Sequence, residues 1–309
     1  MVVETSAPRE LVLDVSDRVG EPAQMAGTYY PPAGAGTAPA VLVCLPGGTY
    51  TRAYFDLDVP GAAGYSFARD AAGRGFAVVA FDVLGTGTST RPERDIDLAA
   101  QASAAASAVA QLPRVIGHDG PFVGIGHSMG GYVLMFQQAG DRSYAAVAIL
   151  GTTNQHVRQL GLPPDVISTA ATSDGRAALT ERMVSTILDR FVESDRAPML
   201  PWFHLADVPS AVVDADTAST LTVVPRRCAA ASTVPGVAVE AAATIEVPVF
   251  LAYGDVDVSP RPQAEPAFFS SSRDITLFML RGSGHCHNMA NTRHLLWDRL
   301  AHWIVDVTA

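Results

Sequence analysis

Short, continuous runs of apolar residues recur along the chain and predict the strands of a buried sheet. Residues 41–45 (VLVCL) and 76–81 (FAVVAF) contain only apolar residues, which is typical of strands covered on both faces. Residues 11–15 and the stretch around Tyr29 predict an antiparallel pair joined by a turn near residues 20–22. Further strands are expected at residues 121–125, 145–150, 248–253 and 275–280.

Segments with helical character separate these strands. Residues 64–74 are rich in Ala and Arg and precede Gly75, a typical helix stop, and the Ala-rich residues 97–112 precede Pro113. Residues 132–138 and 291–305 predict two more helices. Strands that alternate with helices form right-handed β-α-β units. The predicted fold class is therefore α/β, with a mostly parallel central sheet flanked by helices.

The alternation stops between residues 153 and 246, a segment that carries seven prolines. An unstructured loop of this length is implausible inside a compact domain, so the segment is predicted to be an inserted, mainly helical cap. Residues 181–192 show helical apolar spacing within it. Residues 1–152 and 247–309 then form the core. A cap of this kind excludes water and shapes the substrate pocket; a separate structural domain is the alternative.

Composition narrows the classes of partner. The chain has 309 residues and a formal net charge of −10, which argues against nucleic acid and anionic membranes. All 21 basic residues are Arg, so lysine-dependent Schiff-base and Ser–Lys chemistry is excluded. No transmembrane window or signal-peptide apolar region is found, so a cytoplasmic protein is expected. A homo-oligomer stays an open alternative.

No metal or cofactor is expected. The cysteines Cys44, Cys228 and Cys286 are odd in number and lack metal-ligand spacing. Residues 82–89 look like the start of a dinucleotide fingerprint but lack its third Gly. The expected partner is a small molecule alone.

The apolar run at residues 121–125 leads directly into GHSMG at residues 126–130. A strand that ends in Gly-x-Ser-x-Gly and continues as a helix is typical of the nucleophile elbow of serine hydrolases. The two glycines leave room for a turn so sharp that the nucleophile adopts a strained backbone conformation. Ser128 is therefore the candidate nucleophile. The alternative is a Gly-rich turn with an exposed serine.

Over almost its whole length the chain resembles the α/β-hydrolase superfamily with a cap after the sixth strand. That superfamily orders its triad as Ser, acid, His, with the acid after strand seven and the His after strand eight. Strand seven is followed by GDVDVSP (254–260), which implies Asp257 as the acid and Asp255 as the alternative. The loop after strand six, residues 151–155, contains no carboxylate that could take this place.

Strand eight is followed by RGSGHCHN (281–288). The resemblance implies His285 as the base that accepts the proton of Ser128, with His287 as the alternative. Asp257 then holds the imidazole in the useful tautomer. Cys286 is expected to be a small packing residue, because Ser128 already has the role of nucleophile.

Backbone N–H groups are expected to stabilise the oxyanion of the tetrahedral intermediate. One belongs to Met129, which follows the nucleophile, and the other to Gly48 in LPGGTY (45–50), with Thr49 as its neighbouring alternative. Relatives often begin this loop with His-Gly. Pro46 replaces that His here, which leaves the anchoring of the loop open.

The resemblance implies hydrolysis of a carboxylic ester or lactone through an acyl-enzyme. A serine nucleophile excludes the haloalkane dehalogenases and epoxide hydrolases, which use Asp there. We expect a neutral, hydrophobic substrate, bulky macrolactone-type molecules included. An acyltransferase with the same triad is the main alternative; a perhydrolase, a C–C hydrolase and a non-catalytic receptor are the others. The residues expected to line the pocket are Thr49, Met183, Trp202, Phe203 and His204.

Overall fold

The computed structural model describes residues 7–34 and 38–309. Its strands are β1 (Arg9–Asp14), β2 (Gln24–Tyr30), β3 (Val41–Leu45), β4 (Ala77–Phe81), β5 (Phe122–His127), β6 (Ala146–Leu150), β7 (Phe191–Val192), β8 (Val224–Pro225), β9 (Val249–Gly254) and β10 (Ile275–Leu280). Eight of them form one sheet in the order β1-β2-β4-β3-β5-β6-β9-β10. Only the β1–β2 and β2–β4 pairs of this sheet are antiparallel. The predicted α/β class with a mostly parallel sheet is confirmed.

The helices are α1 (Ser16–Val19), α2 (Phe67–Gly73), α3 (Leu98–Leu112), α4 (Met129–Asp141), α5 (Pro164–Thr169), α6 (Ser173–Val184), α7 (Leu200–Phe203), α8 (Ser210–Thr220), α9 (Arg226–Ser232), α10 (Val239–Ala243) and α11 (Arg293–Thr308). Short 3-10 and π segments lie between them. Within the described parts of the chain, no helix combines the length and apolarity needed to cross a membrane.

Two apolar cores lie on opposite faces of the sheet. Side chains alternate along β3: Val41, Val43 and Leu45 pack with α3 and α4, whereas Leu42 and Cys44 pack with α2 and α11. Both sets are at most 1% exposed. The continuous apolar run of the sequence is therefore explained by burial on both sides of the strand.

Side-chain caps set the beginnings of several helices. Asp97 accepts a hydrogen bond from the N–H of Ala100 (2.8 Å), so α3 begins at Leu98, close to the predicted bound. The helical prediction for residues 181–192 is correct only for residues 181–184 and wrong for the rest. Thr172 caps α6, which ends at Val184, and the apolar residues of β7 pair instead with β8. One stretch of apolar residues thus belongs to two elements, which a helical periodicity cannot reveal.

Helix α4 passes so close to β3 that only glycine fits at the contact. A Cβ on Gly130 would lie 2.2 Å from the carbonyl oxygen of Leu45. We expect Gly130→Ala to lower the free energy of unfolding by roughly 1–3 kcal/mol, because the backbone must move apart. Urea unfolding, monitored by circular dichroism, measures this change.

Gly140, in the last turn of the same helix, provides the matched control. A Cβ there meets nothing within 4 Å, so Gly140→Ala should keep or raise stability, by up to about 1 kcal/mol. Equal stability of Gly130→Ala and the wild type would contradict the close approach of α4 to β3.

Candidate active site

Ser128 forms the junction between β5 and α4. Its backbone has φ 53° and ψ −120°, an unfavourable conformation for a residue with a side chain. A Cβ on Gly126 would lie 2.5 Å from the carbonyl oxygen of Gly130, so the turn requires glycine there. Ser128 is partly exposed, whereas both of its neighbours in sequence are buried. The turn therefore presents this serine at the carboxyl edge of the sheet and at the beginning of a helix.

The carboxylate of Asp257 lies against the imidazole of His285. Asp257 Oδ1 is 2.7 Å from His285 Nδ1, and both side chains are buried. The N–H groups of Gly254 and Val258 donate to the two carboxylate oxygens (2.9 and 2.7 Å) and fix their orientation. With Nδ1 directed at the carboxylate, Nε2 is the ring nitrogen left to exchange protons with a nucleophile.

Asp255, the alternative acid, is not placed near either imidazole. It is exposed, and its carboxylate accepts the N–H of Gly282 (2.7 Å) in the loop after β10. Asp255 therefore links its own turn to the loop after β10 instead of capping that turn through local N–H groups.

His287 contacts the same carboxylate from the other side. Its Nε2 lies 2.8 Å from Asp257 Oδ2, so one acid binds two imidazoles. Burial by itself raises the pKa of Asp257, but His285 and His287 outweigh it and hold that pKa well below its ordinary range. The Gly-His-Cys-His spacing is the sequence signal for this arrangement. It indicates two histidines close together, but not that they share an acid.

His127, inside the elbow motif, has a role that the sequence did not suggest. Its ring stacks on Tyr54 at 4.4 Å, and its Nε2 lies 2.9 Å from the carbonyl oxygen of His285. Burial, together with His285 and His287, lowers the pKa of His127 well below its usual value. The ring is therefore neutral, and Nε2 must carry the hydrogen that it donates to that carbonyl. His127 thus ties the elbow to the loop that carries His285.

The loop after β3 lies against the elbow. A turn over residues 47–50, here called the 47–50 loop, is closed by the N–H of Tyr50 and the carbonyl of Gly47 (3.2 Å). A Cβ on Gly47 would lie 3.0 Å from Ser128 Cβ, and one on Gly48 would lie 3.7 Å from Met129 Sδ. The structure therefore brings Gly48 and Met129, the two candidate oxyanion donors, side by side.

Two of the predicted pocket residues border His285. The rings of Trp202 and Phe203 lie 5.2 and 5.4 Å from its imidazole, and Trp202 is partly exposed. Their carbonyl oxygens accept the N–H groups of His285 and Cys286, at 2.9 Å each. The segment between β6 and β9 thereby contacts the candidate triad through both side chains and backbone.

The other predicted pocket residues lie elsewhere. His204 is buried and turned toward Asp216, at 3.2 Å, and Thr49 is buried within the 47–50 loop. The placement of Met183 needs correction. It lies in α6 and packs in a small cluster with Ala170, Leu179 and Val234 that is separate from the two cores on the faces of the sheet.

His204, Asp216 and Cys286 are the one group of potential metal ligands within residues 7–34 and 38–309, with ligand atoms within 4.8 Å of one another. Their chemistry does not fit a cation well. Asp216 already accepts the hydroxyl of Tyr50 and lies 3.8 Å from the Arg196 guanidinium. Burial also raises the pKa of the Cys286 thiol, which opposes the thiolate that metals require. These residues are better described as a hydrogen-bonded network.

Comparisons with known proteins agree with this architecture. The sequence profile of the Alpha/beta hydrolase family matches residues 42–294. No curated protein matches the chain in sequence.

Many solved structures share the fold. A carboxyl esterase from Bacillus coagulans is 16% identical with a TM-score of 0.69, covering 99% of this chain and 100% of its own. A monoacylglycerol lipase from Paleococcus ferrophilus is 14% identical with a TM-score of 0.66, covering 92% and 99%. The epoxide hydrolase CorEH is 16% identical with a TM-score of 0.59, covering 97% and 100%. At such identities the likeness establishes the fold alone.

The depressed pKa of Asp257 predicts how stability depends on pH. Because the folded chain binds this proton more weakly than the unfolded chain, ionised Asp257 contributes stability above the unfolded pKa of about 3.9. That contribution is lost as the pH falls toward the folded pKa. Urea unfolding from about pH 5 to about pH 3 should therefore show a smaller loss of stability in Asp257→Asn than in the wild type.

Asp255→Asn is the matched control, because it removes a carboxylate from the same turn that contacts neither imidazole. It should retain the slope of the wild type. An unchanged slope in Asp257→Asn would mean that the two histidines do not stabilise the ionised carboxylate.

Proposed function

The chain belongs to the alpha/beta hydrolase family, and from this we propose that it is a serine hydrolase that cleaves a carboxylic ester or lactone through an acyl-enzyme. The observation that carries the proposal is the meeting of three parts at one sheet edge. Ser128 lies in a strained elbow, His285 is bound to Asp257, and the 47–50 loop packs against the elbow. This is the arrangement that acyl transfer from an ester requires.

In this reaction His285 acts as the base. Nε2 takes the proton of Ser128 Oγ as that oxygen bonds to the carbonyl carbon, and Asp257 stabilises the imidazolium that forms. The carbonyl oxygen becomes an oxyanion, which the N–H groups of Gly48 and Met129 stabilise. Each such donor contributes on the order of 100- to 1000-fold in rate. The beginning of α4 adds the positive end of its helix dipole.

Departure of the alcohol completes the acylation of Ser128, and hydrolysis of the acyl-enzyme is the second half-reaction. Collapse of the intermediate breaks the bond to the leaving alkoxide, which takes the proton from His285 Nε2 and departs as an alcohol. A water molecule then attacks the acyl carbon and gives a proton to the same nitrogen. The bond between the acyl carbon and Ser128 Oγ breaks, Oγ takes that proton from Nε2, and the carboxylic acid leaves. For a lactone, the alcohol and the acid are two ends of one product.

We propose that residues 153–246 act as a cap and that the substrate is neutral and hydrophobic near the scissile bond. The support is the position of Trp202 and Phe203 beside His285. The cleft of about 710 Å³ that opens at Thr51 is lined by charged residues such as Arg91, Glu193 and Asp195, and not by Ser128, His285 or Trp202. The proposal of a bulky substrate, macrolactones included, therefore rests on the length of the cap rather than on this cleft.

A fluorophosphonate probe tests the nucleophile. We expect peptide mass spectrometry to find the adduct on Ser128, and we expect Ser128→Ala to lose both labelling and ester hydrolysis, the latter by roughly 10⁴-fold or more. Circular dichroism of Ser128→Ala should match the wild type, because Ala removes only the hydroxyl. Labelling at another residue would contradict the proposal.

A substrate panel tests the bond and the size of the substrate. Aryl esters, alkyl esters and macrolactones should all be compared on the wild type, with an added alcohol to reveal acyl transfer. Activity confined to short acetyl esters would contradict the bulky substrate, and a transfer product in place of free acid would identify an acyltransferase.

A further inference from the structure

The backbone of Thr49 is held in an unfavourable conformation. Its φ is 69°, in the left-handed region that a β-branched residue rarely adopts. Thr49 directly follows Gly48, the candidate oxyanion donor, and lies in the same tight turn, so its conformation helps to set the path of the backbone at Gly48. A strained residue persists only where its surroundings impose the conformation, and such residues cluster at functional sites. The contacts of Thr49 therefore identify the residues that impose its conformation.

A buried arginine from the segment between β6 and β9 forms hydrogen bonds with Thr49. Arg196 Nε donates to Thr49 Oγ1 (2.9 Å), and a second N–H of the same guanidinium donates to the Thr49 carbonyl. We propose that Arg196, together with Asp216, is a positioning residue that sets the 47–50 loop in the conformation that stabilises the oxyanion. This inference rests on the proposed serine-hydrolase function.

The charge of Arg196 is neutralised within the protein. Arg196 is 2% exposed and Asp216 is fully buried, with 3.8 Å between the guanidinium and the Asp216 carboxylate. The guanidinium also donates to Thr220 Oγ1 (2.8 Å) and lies 3.6 Å over the ring of Tyr50. Burying two charges is costly unless they are paired and hydrogen-bonded, and here the partners include the 47–50 loop itself.

Asp216 extends the network toward the loop that carries His285. It accepts the hydroxyl of Tyr50 (2.8 Å), which also lies 3.1 Å from the sulfur of Cys286. Cys286 directly follows His285. One buried carboxylate therefore contacts the loop of the candidate oxyanion donor and, through Tyr50, the loop of the candidate base.

Backbone hydrogen bonds also join the 47–50 loop to the end of α8 and the residues that follow it. The N–H of Thr222 donates to the Thr49 carbonyl (3.0 Å), and the N–H of Thr51 donates to the Thr220 carbonyl (2.8 Å). These bonds fix where the loop lies, whereas Arg196 also binds the side chain of Thr49 and so holds the residue in its left-handed conformation. Arg196 therefore acts on the geometry of the loop in addition to its place.

Arg196→Met removes the guanidinium that binds Thr49 and keeps a long side chain in its place. We expect kcat on an aryl ester to fall by about 10²-fold with a far smaller change in KM, because a misplaced donor stabilises the transition state less than the bound ester. Binding of a trifluoromethyl ketone, whose adduct on Ser128 carries an oxyanion, should weaken by a similar factor. Fluorophosphonate titration gives the concentration of active sites, so lost folding is not counted as lost kcat.

Arg176→Met is the matched control. Arg176 is a buried arginine of the same inserted segment that binds Glu240 and the Ala170 carbonyl rather than the 47–50 loop. It should lose stability but keep kcat for each titrated site. Thr49→Asn should recover part of the lost kcat in Arg196→Met, because Asn adopts left-handed conformations more readily than Thr.

If Arg196→Met does not fold, Arg196→Lys keeps the buried charge but cannot donate from a planar fork, and the same loss of kcat at nearly constant KM is expected. Wild-type kcat for each active site in a folded Arg196 variant would overturn the inference, as would an equal loss in Arg176→Met. A wild type that hydrolyses no ester and is not labelled at Ser128 would instead overturn the proposed function.

Discussion

The close approach of three backbone segments around Ser128 is the constraint on which the rest of the site depends. Gly47, Gly126 and Gly130 lack side chains where the loop after β3, the end of β5 and the beginning of α4 meet. Neighbouring strands hold the strained serine in place. Its N–H donates to the Leu150 carbonyl, and its carbonyl accepts the hydroxyl of Thr152, at 2.8 Å each. These hydrogen bonds therefore help to maintain the strained conformation that exposes the candidate nucleophile.

The second constraint is electrostatic. Asp257 is a buried carboxylate that is kept ionised by two imidazoles and two backbone N–H groups. A carboxylate with that many donors keeps its orientation, and so does the ring of His285 that is bound to it. His127 adds a third imidazole, neutral and bound to the backbone of the same loop. The candidate base is thus fixed at both its ring and its main chain.

Local features of the sequence predict the parts of this site that are local in the chain. The elbow, the alternation of strands and helices and the Gly-Gly loop each occupy a few consecutive residues, and the family's order of triad residues favours Asp257 over Asp255. The contact between His287 and Asp257 joins residues 30 positions apart, and the contact between Arg196 and Thr49 joins residues 147 positions apart. No periodicity encodes such contacts, and the segment between β6 and β9, where helix bounds were least predictable, supplies Arg196. Arg196 therefore anchors the 47–50 loop, a contact that the sequence left open because Pro46 replaces the usual His.

The most direct test of the account is a crystal structure of the protein inhibited by an alkyl fluorophosphonate, which leaves a stable tetrahedral adduct. We predict phosphorus bonded to Ser128 Oγ, with its phosphoryl oxygen within about 3.1 Å of the backbone nitrogens of Gly48 and Met129, as an oxyanion site requires. His285 Nε2 should face the serine oxygen and Asp257 should lie behind it. An adduct whose oxygen points away from Gly48, or whose nearest imidazole is that of His287, would contradict it.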